Sequence, residues 1–570
     1  MVNSAVFIVL RRMRAPIIAL ITLYAVAVLG LTLVPGVDAA GQPAPPLSFF
    51  HAFYFISYTA TTIGFGEIPN AFSDGQRMWV TVCIYLTVVG WSYAVITLIA
   101  LLQDKGFQNT LTGNRFRRRV RHLKQPFYLI CGCGETGSLI AHNFDRLGQV
   151  FVILEKDELR VQELDLQDFK TDTPALAADA QVPDNLLLAG LKHPKCRGVL
   201  AVTNDEQANL GIAIAVRLLN PKIPVIARAR SPLTAANMAS FGTDHIINPF
   251  ARFAEHLAEA VAAPERFRLV ELLTGLPDTP IPEPHRPPRG HWIMCGYGRF
   301  GHAVAQNLQP TGITLTVIDP GQADADHNIV GDGTAAPTLR QAGIDTALGI
   351  IAGTDNDVNN LSIAVTAKEL KPDLFVVVRQ NHAANNALYE AFPADFRMVP
   401  SHIVAQESIA ILTTPLLARF LALLRAQDEA WCQSLVGRLQ DLCAGRTPTV
   451  WSIRLNVSEA PAARQELMYR GGFALGDILR DASERSESLP AIALLVDRND
   501  HLHLLPDADF TLAAGDHLLF ASSLPVLGKL KLTLQNANEL DYVLDGKEES
   551  GSWVWQCLHR RQQPAGAPRR

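Results

Sequence analysis

The chain has 570 residues, a length that predicts about three or four domains rather than one compact unit. Its hydrophobic content of 48% and charged content of 18% exclude a disordered or collagen-like protein. The net charge of −5 argues against a basic protein that coats nucleic acid, because such binding depends on neutralising phosphates. Eight cysteines without paired CxxC modules argue against a disulfide scaffold or a zinc ribbon and favour a reducing compartment.

Two long segments near the N-terminus carry no charge. Residues 15–34 and 78–103 contain twenty and twenty-six uncharged residues. At about 1.5 Å per residue, each is long enough to cross a bilayer core of about 30 Å. The arginines before the first segment would also suit a cleaved signal peptide, but the second long segment favours a membrane protein. We therefore predict two transmembrane helices.

Positive charge is concentrated on one side of these segments. Residues 35–76, between them, contain no Lys or Arg. Because positive charge accumulates in short cytoplasmic segments, both termini are predicted to be cytoplasmic, in a plasma membrane such as the bacterial inner membrane. The run of basic residues that follows the second segment is interpreted as a contact with anionic membrane lipid rather than with nucleic acid. The flanking basic residues are Arg11, Arg12, Arg14, Lys105, Arg115, Arg117, Arg118, Arg119, Arg121 and Lys124.

A third apolar stretch, residues 47–61, is too short to cross a bilayer and leads into the sequence TTIGFGEIP at 61–69. It predicts a re-entrant helix followed by a loop. Non-helical backbone at membrane depth is tolerated only where it is buried in protein or lines a water-filled path. Glycine permits the left-handed conformations that aim carbonyl groups at an ion. The candidate ion-coordinating residues are Thr62, Ile63, Gly64, Phe65 and Gly66.

The TIGFG loop resembles the TVGYG filter of potassium channels. The resemblance covers residues 15–103 and implies a two-span potassium channel, a homotetramer whose four loops together bind the permeant K⁺. Two departures, Phe65 for the usual Tyr and Glu67 for the usual Asp, leave filter rigidity and selectivity open. Gly90 lies where relatives bend to open and is a candidate gating hinge; a close-packing glycine is the alternative.

The rest of the chain contains an internal duplication. The sequence GCGETG at 132–137 returns 164 positions later as GYGRFG at 296–301. Each copy follows an apolar strand, opens a helix and has an acid 23 positions after its first glycine, Glu155 and Asp319. This context predicts two Rossmann-like lobes.

Each lobe predicts a nucleotide site. The glycines let backbone amides approach a pyrophosphate at a helix N-terminus. The acid can accept hydrogen bonds from the ribose hydroxyls. An acid at this place disfavours a 2′-phosphate and therefore NADP. A lobe that keeps the turn for packing and binds nothing is the alternative interpretation. The candidate residues are Gly132, Gly134, Glu135, Thr136, Gly137 and Glu155 in the first lobe, and Gly296, Gly298, Arg299, Phe300, Gly301 and Asp319 in the second.

Joined to a potassium pore, the two lobes resemble RCK domains, the regulators of K⁺ conductance. The resemblance rests on GDGT at 331–334, AGTDND at 352–357 and VVVR at 376–379, with looser counterparts in the first lobe. It implies a cytoplasmic ring that binds NAD, ADP or ATP, with two arginines facing a phosphate or a lobe interface. The residues that the resemblance adds to the nucleotide sites are Asp179, Arg228, Asp332 and Arg379.

Calcium is a second candidate ligand, as in some relatives. Acidic clusters at 205–206, 324–326 and 355–357 would hold Ca²⁺ only if their oxygens converge in space. Such clusters are more often solvated faces. The sequence therefore assigns no metal site.

The predicted fold class is an α-helical two-span pore domain followed by two α/β Rossmann-like RCK N-lobes and one small α+β RCK C-lobe. The predicted order is a pore domain (1–104), a basic linker (105–126), the first N-lobe (127–263), a proline-rich linker (264–290), the second N-lobe (291–405), a helical connector (406–449), the C-lobe (450–525) and a C-terminal tail (526–570).

Together these features predict a ligand-gated potassium channel, and the absence of a catalytic constellation argues against an enzyme. The alternatives are a K⁺ transporter-like protein, a weakly selective cation channel and a membrane-bound NAD-dependent oxidoreductase. One pore loop per chain argues against the transporter, and a Rossmann fold alone supplies no catalytic groups. The identity of the ligand, its effect on the pore and the sensor lobe are left open.

Overall fold

The structure is a computed structural model that describes residues 3–38, 42–67, 71–275, 277–281, 286–321 and 328–546. The chain divides into two compact units, an N-terminal unit ending at His122 and a C-terminal unit beginning at Leu123. Each unit is described by itself.

The N-terminal unit consists of helices and one short hairpin. Its elements are α1 (Asn3–Leu33), β1 (Gly36–Val37), β2 (Pro43–Ala44), α2 (Phe49–Ala60), α3 (Asp74–Gln103) and α4 (Lys105–Arg121). Within the described chain, Arg11–Leu33 and the whole of α3 are long and apolar enough to cross a membrane, as the sequence predicts. Helix α2 lies between them and begins at the capping residue Ser48.

The two long helices pack directly against each other. The indole of Trp79 donates to the backbone oxygen of Ala27 at 3.1 Å, and the indole of Trp91 donates to the hydroxyl of Tyr24 at 3.2 Å. Apolar side chains from both helices and from α2 form the shared core. The buried members include Ala27, Val28, Leu31, Ala52, Ile56, Val80 and Cys83.

The first lobe of the C-terminal unit is a six-stranded parallel sheet in the order β5-β4-β3-β6-β7-β8. Central strands such as FYLIC and VFVILE read as continuous apolar runs because parallel sheets are covered on both faces. The strands are β3 (Phe127–Cys131), β4 (Val150–Glu155), β5 (Ala175–Ala177), β6 (Cys196–Ala201), β7 (Val225–Arg228) and β8 (His245–Ile247). The helices are α5 (Glu135–Arg146), α6 (Glu158–Asp165), α7 (Pro183–Leu188), α8 (Glu206–Leu219) and α9 (Pro232–Ser240).

The second lobe repeats this topology, with the sheet order β11-β10-β9-β12-β13-β14. Its strands are β9 (His291–Cys295), β10 (Thr314–Asp319), β11 (Asn328–Val330), β12 (Gly349–Ala352), β13 (Phe375–Arg379) and β14 (Phe396–Met398). The helices that cover this sheet are α12 (Arg299–Leu308), α13 (Ala336–Gln341), α14 (Asp357–Leu370) and α15 (Asn386–Ala391). The predicted duplication of a Rossmann-like lobe is therefore confirmed.

The two lobes exchange one helix each. Helix α10 (Pro249–Ala262) follows the first lobe but packs against α12 of the second, where Phe253 is buried beside Phe300. Helix α16 (Pro400–Thr413) follows the second lobe and packs against α5 of the first, where Val404 is buried beside Ile140. The exchange ties both lobes into one body.

Three further helices connect the lobes to the C-lobe: α11 (Pro264–Thr274), α17 (Pro415–Leu424) and α18 (Glu429–Leu442). They share one core with the C-lobe sheet, and Leu272 of α11 is buried there with Phe420 of α17. The prediction of a linker over 264–290 is therefore wrong for its first eleven residues, which form a packed helix.

The C-lobe contains an antiparallel sheet in the order β15-β20-β17-β18 and a two-stranded pair, β16 with β19. Its elements are β15 (Thr449–Arg454), α19 (Pro461–Arg470), β16 (Phe473–Ala474), α20 (Leu475–Ile478), β17 (Ala491–Arg498), β18 (His501–Leu504), β19 (Thr511–Leu512), β20 (His517–Ser522), α21 (Leu524–Gln535) and α22 (Ala537–Asp545). Leu530 and Leu540 are fully buried in the C-lobe core. The predicted boundary at residue 525 is thus wrong, because the lobe continues through α22; the rest of the predicted tail, 547–570, lies outside the described residues.

Candidate ion pathway and nucleotide clefts

The predicted filter loop follows α2 directly. The backbone N–H groups of Ile63 and Gly64 donate to the carbonyl of Tyr58 at 3.0 and 3.2 Å, which turns the chain away from the helix. Every second residue has a left-handed φ: 60° at Thr62, 63° at Gly64 and 73° at Gly66. Glycine adopts this conformation without steric cost, which explains two of the three positions.

Two tyrosines of α2 hold the outer end of the loop. The Tyr58 hydroxyl donates to the backbone oxygen of Glu67 at 2.9 Å, and the Tyr54 hydroxyl donates to Glu67 Oε2 at 3.2 Å. The ring of Tyr58 also meets the ring of Phe65 edge-on, with centroids 6.1 Å apart. From the sequence, the rigidity of the filter is left open because Phe65 lacks a hydroxyl group. In the structure, the hydroxyl groups that bond to the end of the loop come from Tyr54 and Tyr58 of α2.

Gly90 lies where the two long helices approach closely. A Cβ atom built on Gly90 would lie 2.5 Å from Leu23 Cδ1 of α1, and helix α3 runs through this position without a break. The close-packing role that the sequence offered as the alternative is therefore seen in the structure. The hinge role stays a prediction.

In the first lobe, the glycine turn lies between β3 and α5. Gly132 has a φ of +92°, and a Cβ there would lie 2.9 Å from Thr203 Cα. Glu155, at the end of β4, accepts hydrogen bonds from the backbone N–H groups of Cys133 and Asp157. The predicted ribose acceptor is thus brought to the turn, as the spacing predicts.

The second lobe has the same arrangement with an open cleft. Asp319 accepts from the N–H groups of Tyr297 at 2.7 Å and Gly321 at 2.8 Å. A cavity of about 380 Å³ lies over the turn. Its lining includes the predicted residues Gly296, Gly298, Arg299, Phe300, Asp319, Asp332 and Arg379.

The predicted arginines end equivalent strands, and both are buried. Arg228 Nη1 donates to Thr136 Oγ1 at 3.2 Å and to Asn204 Oδ1 at 3.1 Å. Arg379 forms an ion pair with Asp355, with Nη2 2.7 Å from Oδ1. Arg228 therefore lies next to the first glycine turn, and the guanidinium carbon of Arg379 lies 5.5 Å from the ring centroid of Phe300 in the second.

The predicted aspartates have local partners of their own. Asp179 accepts from the N–H of Gln181 at 2.9 Å and pairs with Lys156 at 3.3 Å, and these contacts hold the pKa of its carboxyl below the ordinary value. Asp332 accepts from the N–H of Thr334 at 2.9 Å. Asp332 lines the second cleft, so its carboxylate is available to a ligand there.

The fourth residue of each glycine motif reaches the opposite lobe. Glu135 Oε1 accepts from the N–H of Ala383 at 2.8 Å, and Arg299 Nη1 lies 3.9 Å from Glu206 Oε1. Two residues predicted to bind nucleotide thus contribute to the seam between the lobes. Phe300, a third, is buried and packs against the exchanged helix α10.

The sequence assigned no site role to several residues that lie beside these turns. Asn209 accepts from the N–H of Thr203 and donates to the backbone oxygen of Arg228, and Asn360 repeats this pattern in the second lobe. Their recurrence 151 positions apart marks the duplication in the sequence but does not by itself indicate these hydrogen bonds. Phe250, which lines the second cleft from α10, has no such signal because its position depends on the helix exchange.

The acidic clusters proposed for calcium have other partners. Asp205 caps α8, Glu206 accepts from the N–H groups of Arg230 and Ser231, and Asp357 accepts from the N–H of Asn381. Across the part of the chain that the structure describes, no group of three or more His, Cys, Asp or Glu is placed to hold a metal ion. The cluster at 324–326 lies outside the described residues.

Comparisons with known proteins match both units. The Ion channel family model matches residues 17–104, and the TrkA-N domain model matches residues 128–249 and 292–400. Potassium channel protein 1 of Methanocaldococcus jannaschii is 26% identical over 229 residues, which cover 40% of this chain and 66% of that protein. The voltage-gated potassium channel Kch of Escherichia coli is 24% identical over 221 residues, 38% of this chain and 51% of that one. Among solved structures, the GsuK channel bound to NAD is 18% identical, with a TM-score of 0.43 over 93% of this chain and 99% of that one.

An ion-channel domain followed by two TrkA-N domains defines a class of membrane protein in which a pore precedes two Rossmann-like lobes. The chain thus carries an ion-channel domain and two TrkA-N domains and is similar to potassium-channel proteins, in agreement with the predicted two-span channel with RCK domains. It matches 66% and 51% of the lengths of the two named relatives.

Proposed function

We propose that four copies of this chain form a K⁺-selective pore that opens or closes in response to a nucleotide of the NAD, ADP or ATP class. The single observation that carries the proposal is the backbone of the loop between the spans. Left-handed φ angles at Thr62, Gly64 and Gly66 are the conformations needed to aim carbonyl oxygens at an ion.

The tetramer follows from the chemistry of ion coordination. One loop reaches an ion from one side only, so several loops must surround a common axis to replace a hydration shell, and the potassium-channel solution uses four. The bracing of Glu67 by Tyr54 and Tyr58 supports a loop that is fixed before the ion arrives.

The nucleotide part rests on the two glycine turns and on the cleft over the second of them. Each glycine turn ends at a helix N-terminus, where N–H groups favour phosphate, and each has a carboxylate, Glu155 or Asp319, placed for ribose hydroxyls. A ligand with different affinity for two arrangements of the lobes would shift the pore equilibrium through residues 104–125. Calcium finds no support among the described carboxylates.

The direction of insertion follows from charge. Basic residues flank both spans on the side of the termini, which supports a multi-pass plasma-membrane protein with cytoplasmic RCK lobes. Nothing in the described clefts favours the oxidoreductase. A weakly selective cation channel is the second candidate, because Phe65 replaces the usual filter tyrosine.

Single-channel recording of the purified full-length protein in a planar bilayer tests the gating proposal. NAD, NADH, ADP, ATP and Ca²⁺ are applied in turn to the side that carries the RCK lobes. We expect a nucleotide to change the open probability and Ca²⁺ to have no effect, with the Gly64→Ala variant silent as the control for the pore. A response to Ca²⁺ alone would contradict the nucleotide assignment.

A further inference from the structure

The two lobes differ at the residue that faces their buried arginine. Arg228 and Arg379 are 7% and 6% exposed and end equivalent strands. In the second lobe the partner is Asp355; its counterpart 151 positions earlier is Asn204. The duplication has kept the arginine in both lobes but the carboxylate in only one.

In the second lobe, the arginine is neutralised by the protein itself. Arg379 Nη2 lies 2.7 Å from Asp355 Oδ1, and Nη1 donates to the backbone oxygen of Gly353 at 3.3 Å. The rings of Phe250 and Phe300 enclose the guanidinium, with centroids 4.8 and 5.5 Å from its central carbon. A second anion at this guanidinium would have to displace Asp355.

In the first lobe, the same arginine has only uncharged hydrogen-bond partners, Thr136 and Asn204, both through Nη1. Its Nε is buried without a partner, as is that of Arg379, and within the described residues no carboxylate forms an ion pair with Arg228 like that of Asp355 with Arg379. Burial and the nearby charge of Arg230 lower its pKa to about 10, against the opposing effect of Glu135. Arg228 is therefore still charged at neutral pH, and a buried charge without a counter-ion is costly.

The guanidinium of Arg228 reaches the start of α5. Thr136 is the second residue of that helix, and the glycine turn leaves the first N–H groups of the helix free to bind an anion. The Glu135 carboxylate, which would repel an anion, accepts from Ala383 in the second lobe. The equivalent position of the second lobe carries the opposite charge. It is Arg299, which faces Glu206 of the first lobe.

We propose that residue 204 and its counterpart 355 decide which lobe takes a phosphate. The first lobe binds the phosphate of a nucleotide between the α5 N-terminus and Arg228, and Asp355 occupies the corresponding place in the second lobe and excludes it. This inference rests on the proposed nucleotide gating and adds which lobe senses the phosphate.

The test uses the purified full-length channel and equilibrium dialysis with radiolabelled ADP and adenosine. Asn204→Asp installs a carboxylate with almost no change in shape. We expect it to weaken ADP binding about tenfold or more, because the new carboxylate would pair with Arg228 and remove a strong, charged hydrogen bond to the phosphate. Adenosine binding should stay unchanged in this variant. Asp355→Asn frees Arg379, and we expect it to add a second class of ADP sites. Because misfolding cannot create a new site, the second variant tests the idea even if the first fails to assemble.

Inorganic pyrophosphate is a second probe. It should compete with ADP in the wild-type channel and lose that ability in Asn204→Asp, because both ligands need the unpaired charge of Arg228. Two results together would overturn the inference. If Asn204→Asp binds ADP as tightly as the wild type and Arg299→Gln loses ADP binding, the phosphate lies in the second lobe. Absence of binding by both ADP and adenosine in the wild type would instead contradict the nucleotide part of the proposed function.

Discussion

Single side chains determine how the predicted filter loop is held. Potassium-channel filters usually carry a tyrosine where this chain has Phe65, and here two tyrosine hydroxyl groups of α2 bond to Glu67 beside it. Tyr58 is buried and donates to the backbone of Glu67, whereas Tyr54 reaches the Glu67 carboxylate from a more exposed position. The loop and its supporting helix therefore form one hydrogen-bonded unit.

Replacing Tyr58 with Phe removes the hydrogen bond to Glu67 and keeps the ring that packs against Phe65. One such bond contributes about 0.5–1.5 kcal/mol. We expect shorter single-channel openings, with assembly retained on size-exclusion chromatography. The control is Tyr85→Phe, the same change at an exposed tyrosine of α3. Open times in Tyr58→Phe that equal those of the wild type would show that the loop does not depend on this contact.

Gly90 offers a second test at the scale of one residue. Ala at this position would place its Cβ 2.5 Å from Leu23 Cδ1, so we expect Gly90→Ala to lower the melting temperature of the purified channel. Leu23→Ala should restore much of that stability, because it removes the clashing methyl group. If the double variant melts normally and still fails to open, Gly90 is a hinge as well as a packing residue.

At the scale of elements, Asp104 joins three helices of the N-terminal unit. It caps α4 by accepting from the N–H of Phe107 at 2.9 Å, follows the last residue of α3, and lies 2.7 Å from Arg12 Nη1 of α1. The hydrogen bond from Arg12 and that from Phe107 lower the pKa of Asp104. The charge of Asp104 is therefore shared with Arg12 rather than free to attract K⁺.

We expect Asp104→Asn to change single-channel conductance little at low salt, and Arg12→Gln to increase outward conductance by leaving the carboxylate unpaired. Screening should remove the second effect at high salt. The ion pair stabilises the fold at neutral pH and is lost only in acid, as the pH falls through the lowered pKa of Asp104. A large loss of conductance in Asp104→Asn would show that this carboxylate attracts K⁺ despite its partner.

The exchanged helices give the second prediction at this scale. Phe253 follows the first lobe in sequence but is buried in the core of the second. We expect Phe253→Ala to cost about 3–5 kcal/mol of stability. Hydrogen exchange should then increase in β9 and β12 of the second lobe more than in β3 and β6 of the first. Phe241→Ala, at a half-exposed position, is the control; equal loss of protection in both lobes would contradict the exchange.

At the scale of the whole molecule, the features that were predictable from the sequence are those that depend on local patterns. The filter glycines, the two apolar spans and the glycine turn with its acid each lie within about 25 residues of chain, where spacing determines the geometry. The contacts between Tyr58 and Glu67 and between Arg12 and Asp104 were missed because they depend on packing between elements.

The missed parts of the C-terminal unit have the same origin. Phe250 enters the second cleft only through the helix exchange, and no pattern within its own segment indicates that. The proline-rich composition after Pro264 concealed helix α11, which begins with a proline at its first position, where a helix tolerates it. Helices α21 and α22 are short, and their core positions are defined by the C-lobe sheet.

The measurement that tests the central claim most directly is the reversal potential of the purified full-length channel in a planar bilayer, with K⁺ on one side and Na⁺ at equal concentration on the other. The loop from Thr62 to Gly66 predicts current carried almost entirely by K⁺, and hence a reversal potential displaced far from zero in the direction set by the K⁺ gradient. A reversal potential near zero would show equal permeability to the two ions and would contradict the assignment of this loop as a potassium filter.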